Sequence, residues 1–264
     1  MKVVLVNFAN DLFEEKQKYQ NDTALKICSF DKIYSFSPKD IEEEFYEQHK
    51  LILSQERGNG YWLWKPYFIK KVLSTLDDGD LLFYCDSGAY FIDSINSLIK
   101  LQKEINQDII PFYNPHLEKI WTKRDTFILM NCDEERYINT NQLLGGINLW
   151  KKSEFTLNFM DEWIIYASDV RCITDIENTL GYQNYEGFKE HRHDQSIFSL
   201  LCKRYGLKSF PDPTQFGNTD RKRLEDSKVK QFLHHTKADK IQKNLFKKII
   251  KEIKRIFLKK IYKT

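Results

Sequence analysis

A chain of 264 residues, 41% hydrophobic and 14% aromatic, carries enough apolar material to bury the core of one globular domain of moderate size. With 30% charged residues, 10 glycines and 6 prolines, its composition excludes wholesale disorder. The net charge of +3 hides a division: residues 241–264 hold nine Lys/Arg and one Glu, whereas the remainder holds 32 basic and 37 acidic residues, so the body is mildly acidic and the tail strongly basic.

Lys2–Phe8, KVVLVNF, is β-branched and almost continuously apolar, as a strand buried on both faces is. NDTALKICSF (21–30) predicts a helix with Asp22 or Thr23 near its cap, and DKIYSFS (31–37) a second strand. A helix starting at or after Pro38 spans residues 38–55, with acids in its first turns where the helix dipole favours them, and GNG at 58–60 breaks it. YFIKKVLSTL (67–76) is an amphipathic helix, after which Asp78-Gly79 turns the chain into a strand that ends at Asp86. SINSLIKLQKEI (94–105) reads as a helix and DIIPFYN (108–114) as a strand. TFILMN (126–131) and NQLLGGINLWKK (141–152) bracket a segment expected to be mobile. SEFTLNFMDEWIIYAS (153–168) is a helix capped by Ser153, and DQSIFSLLCKRYG (194–206) one that starts at Asp194. VKQFLHH (229–235) is a late strand, and everything after Lys240 reads as one long helix.

Strands alternating with helices predict an α/β fold with a mostly parallel sheet. There is no internal repeat and no GxGxxG, GxxxxGK[ST], GxSxG or HExxH, which removes the main support for dinucleotide-binding, P-loop, serine-hydrolase and zincin chemistry. Five scattered cysteines with no CxxC pair argue against a disulfide framework or zinc ribbon and for reduced, buried thiols. The N-terminal apolar run is too short for a signal peptide, and no run of 18 apolar residues spans a bilayer, so a cytoplasmic location is expected.

Four segments carry candidate chemistry. In GDLLFYCDSGAYF (79–91), Asp86 stands where a buried strand ends, and in open α/β sheets ligands bind at the carboxyl ends of strands. A turn carboxylate capping the next helix fits the same letters. In RGNGYWLWKPYF (57–68), aromatic faces can stack on bases or sugars, and Arg57 or Lys65 can neutralise phosphate. The bland alternative makes Trp62 and Trp64 core anchors and Lys65 a solvated charge. EHRHDQS (190–196) crowds polar side chains at a helix start, a place that attracts anions; alternatively Asp194 is a cap and His191 and His193 lie on the surface. FLHHTK (232–237) sets His234 or His235 after a strand, with Lys237 close behind.

In this order the segments resemble the GT-A-fold glycosyltransferases, especially the retaining families 8 and 32. LLFYCDSG resembles their DxD strand, with Asp86 at the first acid and Gly88 where the second acid stands. NQLLGGINLWKKSEF is similar to their asparagine-glycine segment, HDQSIFSLL to their Asp-Gln helix start, and FLHHTK to their metal histidine and phosphate-binding lysine. Together, GYWLWKP, TKRD (122–125) and HRHDQS more closely resemble glycosyltransferases of bacterial polysaccharide loci. The resemblance implies a single Rossmann-like GT-A domain over residues 1–240, its mostly parallel sheet flanked by helices. It implies a nucleotide-sugar donor (a UDP-sugar first), and as acceptor a hydroxyl of a growing capsule, lipopolysaccharide or lipooligosaccharide glycan, free or lipid-linked.

The catalytic residues so implied are Asp194, Gln195 and Asp125. Donor contacts fall on Asn7, Phe8, Arg57, Trp62, Lys65, Asp86, Ser87, Lys123, Arg124, Gln142, Gly145, Gly146, His193 and Lys237. A divalent cation, Mn2+ or Mg2+, would be held by Asp86 and His234, although such ions prefer two or more carboxylates and Gly88 supplies none. A retaining course needs no strong base beside the acceptor; an inverting one makes Asp194 the general base. Residues 241–264 place Leu245, Phe246, Ile249, Ile250, Ile253, Ile256, Phe257 and Ile261 on one helical face and lysines on the other. This predicts a basic amphipathic helix lying on an anionic membrane, hence an enzyme peripheral on the inner face of the cytoplasmic membrane with no nucleic-acid partner. Two rival readings stand beside it: a metal-dependent hydrolase built on Asp86 and the His191/His193/Asp194 cluster, and a nucleic-acid-binding protein using the basic tail.

Overall fold

A computed structural model describes residues 1–217 and 229–236. Among these residues eight strands form: β1 (Val3–Phe8), β2 (Lys32–Phe36), β3 (Leu81–Cys85), β4 (Ala89–Phe91), β5 (Ile109–Leu117), β6 (Asn141–Lys151), β7 (Phe210–Pro211) and β8 (Leu233–His235). Six make the central sheet in the order β2-β1-β3-β6-β5-β7, and β4 pairs with β8 in a small second sheet. β1 is parallel to β2 and β3, β7 is parallel to β5, and β6 runs antiparallel to both β3 and β5. Five strands thus point one way and β6 alone runs against them.

The period of two along each strand divides the core between the two faces of the sheet. Val4, Val6, Leu82, Tyr84 and Trp150 pack under the helices Trp64–Leu73, Glu154–Ala167 and Asp194–Arg204. Val3, Leu5, Leu81, Phe83 and Leu149 face Ala24 of the helix Glu14–Ile27 and Leu98 and Leu101 of the helix Asn96–Ile105. The first face is rich in aromatic contacts, Trp150 meeting Phe159 edge-on at 5.5 Å and Phe198 at 5.8 Å. Each such fully buried ring contributes about 2–3 kcal/mol through the area it removes from water.

Several expected elements shift, each for a local reason. The first helix starts at Glu14 rather than near Asp22, because Gln17, Gln20 and Asn21 turn inward to bond Asn7 and blur the apolar period. Residues 38–55 break into a 3-10 turn, Pro38–Asp40, and the short helices Glu43–Gln48 and Lys50–Leu53; Ser37 and Asp40 cap each other reciprocally at the start. The next helix begins at Trp64, three residues earlier than expected, with Pro66 accommodated in its first turn. Ser153 does cap its helix, accepting from the Thr156 amide at 3.3 Å. The stretch expected to be mobile holds the short helix Glu135–Ile138, and Tyr137 and Ile138 are buried in the core. All five cysteines are buried and unpaired. Among the described residues no helix is long and apolar enough to cross a membrane.

Candidate active site

The carboxyl end of β3 is where the polar groups gather. Asp86 follows Cys85, its amide donating to Gly146 O at 2.8 Å and its Oδ1 accepting from the Tyr84 hydroxyl at 2.6 Å. Lys65, from the helix Trp64–Leu73, brings its ammonium to 3.5 Å from that same Oδ1 and to 2.7 Å from Asp194 Oδ2. Asp194 opens the helix Asp194–Arg204, so one lysine ties two carboxylates from different elements. The Lys65 and Asp194 side chains are 3% and 5% exposed, whereas that of Asp86 is 42% exposed and open to a ligand.

β6 threads between the two acids, and its glycine pair makes that possible. A Cβ on Gly146 would stand 2.4 Å from Asp86 Oδ2; one on Gly145 would stand 3.0 Å from the Gln195 Cα and 3.2 Å from Asp194 Oδ2. Gln195 is held at both ends of its amide, donating to Gln142 Oε1 at 2.7 Å and accepting from the Gly145 amide at 3.2 Å. Gln142 is in turn fixed by the fully buried Glu118, whose carboxylate accepts from Gln142, Thr122, Ser199 and Lys203.

Burial dominates the electrostatics. It pushes the Asp194 carboxyl up to about 6 against the opposing pull of Lys65, while the Asp86 charge pushes it further up. Burial also works to lower the Lys65 ammonium, but Asp194 and Asp86 outweigh it and raise it, so Lys65 stays charged. His193 is driven down to about 4 by burial despite a 3.0 Å contact with Asp175, and is neutral at pH 7.

The wall beside Lys65 is built from strained backbone. Gly58, Asn59, Gly60, Tyr61 and Trp62 all have positive φ, and His193 has φ 51° and ψ −120°. Left-handed geometry costs about 1–2 kcal/mol for each non-glycine residue, and such strain is characteristic of functional sites. Its product is a short aromatic stack: the Trp62 and Tyr61 rings meet His193 at 5.3 and 5.1 Å. Trp64 takes the other role, buried with its ring 3.6 Å from Phe8. Arg57 pairs with Asp175 at 3.2 Å and Glu190 at 3.7 Å, and Glu190 also holds Arg192 at 2.8 Å.

Two connected cavities open here. The smaller, about 190 Å³, is lined by Arg57, Trp62, Lys65, His193 and Asp194; the larger, about 540 Å³, by Asn114, His116, Trp121, Gln142, Asp212 and His235 among others. Asp86, Gly146, Arg192 and Gln195 line both.

Most expected site residues therefore converge: Arg57, Trp62, Lys65, Asp86, Gln142, Gly145, Gly146, His193, Asp194 and Gln195. Others do not. Asp125 is fully buried and accepts from the Thr179 amide and hydroxyl and the Leu180 amide, so it caps a loop instead of facing the cleft. Lys123 is buried against the carbonyls of Thr174 and Ile176, and Arg124 pairs with Asp133 over the Tyr185 ring. Asn7 lies inside a cluster of Gln17, Gln20 and Asn21, Phe8 in the core, and Ser87 beneath the site with its hydroxyl donating to Phe8 O at 2.7 Å. In β8 it is His235 that lines the cleft with Asp86, while His234, one residue away and so on the opposite face, packs on Tyr90 at 5.2 Å. His191 bonds the Cys172 carbonyl and the Lys123 amide and lines neither cavity, which takes apart the cluster a hydrolase would need. Lys237 and residues 241–264 lie outside the described residues. Tyr84, Glu118, Trp121 and Arg192 were not anticipated. Arg192 sits inside EHRHDQS and could have been named from its charge; a lone Glu118 gives no signal.

The donor set does not fit a divalent cation. Among the described residues no three His, Cys, Asp or Glu side chains are grouped to hold a metal, and Asp86 Oδ1 is already engaged by Tyr84 and Lys65.

No protein-family model and no curated protein sequence matches the chain. Solved structures do. The bifunctional glycosyltransferase WbbM, in its apo form, superposes with a TM-score of 0.51 at 10% identity, over 89% of this chain and 45% of WbbM. The fold is that of the GT-A glycosyltransferases. The chain spans a little under half the length of WbbM. Mouse xyloside xylosyltransferase 1 aligns at 9% identity and TM-score 0.48, over 89% of this chain and 97% of that one. The galactosyltransferase LgtC, in complex with donor and acceptor sugar analogs, aligns at 13% and 0.45, over 88% and 86%. Within the GT-A fold, Asp86 ends β3 and the glycine-bearing β6 is the reversed strand beside it.

Proposed function

We propose that this chain is a glycosyltransferase that moves a sugar from a nucleotide-sugar donor to an acceptor hydroxyl. The observation that carries the reading is the convergence of Asp86, Lys65, Asp194 and Gln195 on one two-part cleft at the carboxyl end of β3, in a GT-A fold. The bond from the sugar's anomeric carbon to the diphosphate breaks, with its electrons passing to phosphate, and the acceptor oxygen bonds that carbon. The acceptor's proton goes to the departing diphosphate in a retaining course, or to Asp194 in an inverting one. Charge developing on phosphate needs fixed cations nearby, and Lys65 and Arg192 line the cavity for that purpose. Gln195, fixed through Gln142, and Asp194 offer the polar face that orients the sugar.

The finer reading takes a UDP-sugar as donor, retention of configuration, and as acceptor a hydroxyl of a bacterial surface glycan, with residues 241–264 holding the enzyme to the inner face of the cytoplasmic membrane. It is supported by the segment resemblances and by the charge of +8 in that tail. A panel of UDP-, GDP-, CMP- and dTDP-sugars tests the central reading by thermal shift and by nucleotide release. At least one donor is expected to raise Tm and to be turned over. A panel in which none does either would remove the transferase.

A further inference from the structure

Building on the transferase reading, we propose that the Lys65 ammonium, held between Asp86 and Asp194, stands as the fixed cation beside the donor diphosphate where a divalent ion would otherwise sit, so that the enzyme works without a metal.

A leaving diphosphate needs positive charge held in place before the reaction, so that little is spent on reorganisation. Lys65 meets that requirement. Its ammonium lies between carboxylate oxygens at 2.7 and 3.5 Å, its side chain is 3% exposed, and it lines the smaller cavity together with the open carboxylate of Asp86. It therefore occupies the place of a cation shared by two acids, with a single positive charge.

The same arrangement works against a metal. Oδ1 of Asp86 accepts from Tyr84 and faces Lys65, which leaves Oδ2 as the oxygen open to a ligand. A divalent ion bound to Asp86 would sit beside the Lys65 charge and be repelled by it. Arg57, Lys65 and Arg192 line the cavity beside Asp86 and Asp194, and Arg57 is already paired with Asp175. Arg57 and Arg192 also share Glu190 at the rim, which leaves Lys65 as the cation facing the two acids of the cavity.

The test uses the full-length protein, stripped with EDTA and compared with and without Mn2+ or Mg2+. Binding of UDP and GDP is measured by calorimetry, and turnover of whichever nucleotide sugar is active by nucleotide release. We expect nucleotide affinity in excess EDTA to lie within about threefold of that in metal, and turnover to persist. Lys65→Met should weaken nucleotide binding by about tenfold or more in both buffers, with no recovery on adding Mn2+, while Lys65→Arg retains most of it. If Lys65→Met fails to fold, the double variant Lys65→Met/Asp194→Asn, which removes the stranded buried charge, carries the same comparison with Asp194→Asn alone as its parent. Nucleotide binding or turnover seen only with metal, or binding by Lys65→Met equal to the parent, would overturn the proposal and leave the transferase standing. Absence of nucleotide binding and turnover in both buffers would overturn the transferase reading itself.

Discussion

At the scale of single residues, the chemistry of Asp194 is set by its burial. Burial raises its carboxyl to about 6, so within the working range it passes from neutral to charged. If the carboxylate is the working form, turnover should climb with pH through a limb centred near 6, and Asp194→Asn should lose that limb along with most of kcat. Stability carries the opposite sign. The folded state keeps the proton to higher pH than the unfolded chain does, so the Asp194 contribution declines as pH rises from about 4 to about 6. The Tm of Asp194→Asn relative to the parent should therefore increase with pH across that window, and a flat difference would show that the carboxyl titrates normally. His193, driven down to about 4, acts in the reverse sense and is common to both proteins, so the comparison cancels it. Asp86 and Asp194 were legible in the sequence because each stands at the end of an apolar element, where a ligand can reach. Asp125, Lys123 and Arg124 were not separable from them by letter or spacing. Buried groups that hold a loop have the same chemistry as groups that hold a substrate, and only the partners, Thr179, Thr174 and Asp133, tell them apart.

At the scale of elements, two glycine-bearing segments do different work. In β6, a methyl on Gly146 would meet the Asp86 side chain, at 2.4 Å from Oδ2 and 3.0 Å from Cγ, and a half-exposed side chain can move where backbone cannot, at the expense of its contacts with Tyr84 and Lys65. Gly146→Ala is expected to cost less than about 1 kcal/mol of stability while displacing Asp86 and lowering kcat/KM by about tenfold or more. In the left-handed turn, Gly60 has φ +87°, and its added Cβ would lie 2.6 Å from the backbone Cα of Leu53. Gly60→Ala should destabilise the fold by about 2 kcal/mol or more, because backbone cannot swing aside and the conformation itself disfavours a side chain. Chemical denaturation of the two variants beside their kinetics checks the contrast; equal stability losses would remove the distinction. The strands of the sheet and the Ser153 cap follow from alternation and from capping chemistry that a sequence displays. The start of the helix Glu14–Ile27 does not, because Gln17 and Gln20 spend their polarity inward on Asn7, the Phe36 carbonyl and the residues around Asp86. Nor does the left-handed run 58–62 announce itself beyond its two glycines, since Asn59, Tyr61 and Trp62 adopt positive φ only because the surrounding packing imposes it.

At the scale of the whole molecule, the position of the cleft is set by the sheet and the proposed membrane role by the composition of residues 241–264. The sheet sets its ligand end at β3 and β6, the helices of one face deliver Lys65 and Asp194 to that end, and a basic tail follows. Why β6 should run against its neighbours was not readable, since strand direction depends on which connections cross the sheet and not on the strand's own residues. The tail is legible at a different level, through its composition. Nine Lys/Arg among 24 residues, set against one Glu, would lie near the lipid headgroups if its apolar residues enter an anionic bilayer, and each such cation adds about 1 kcal/mol of attraction. A lipid-linked acceptor would then lie in the membrane to which the enzyme is held. The full-length protein should co-sediment with vesicles rich in anionic lipid, and do so far less with neutral ones. Replacing Lys247, Lys248, Lys251 and Lys254 together by Gln should sharply reduce that binding, and raising the salt should do the same to the parent, while neither change affects turnover of a soluble acceptor. Binding that ignores lipid charge, salt and all four substitutions would leave the tail with no role at the membrane.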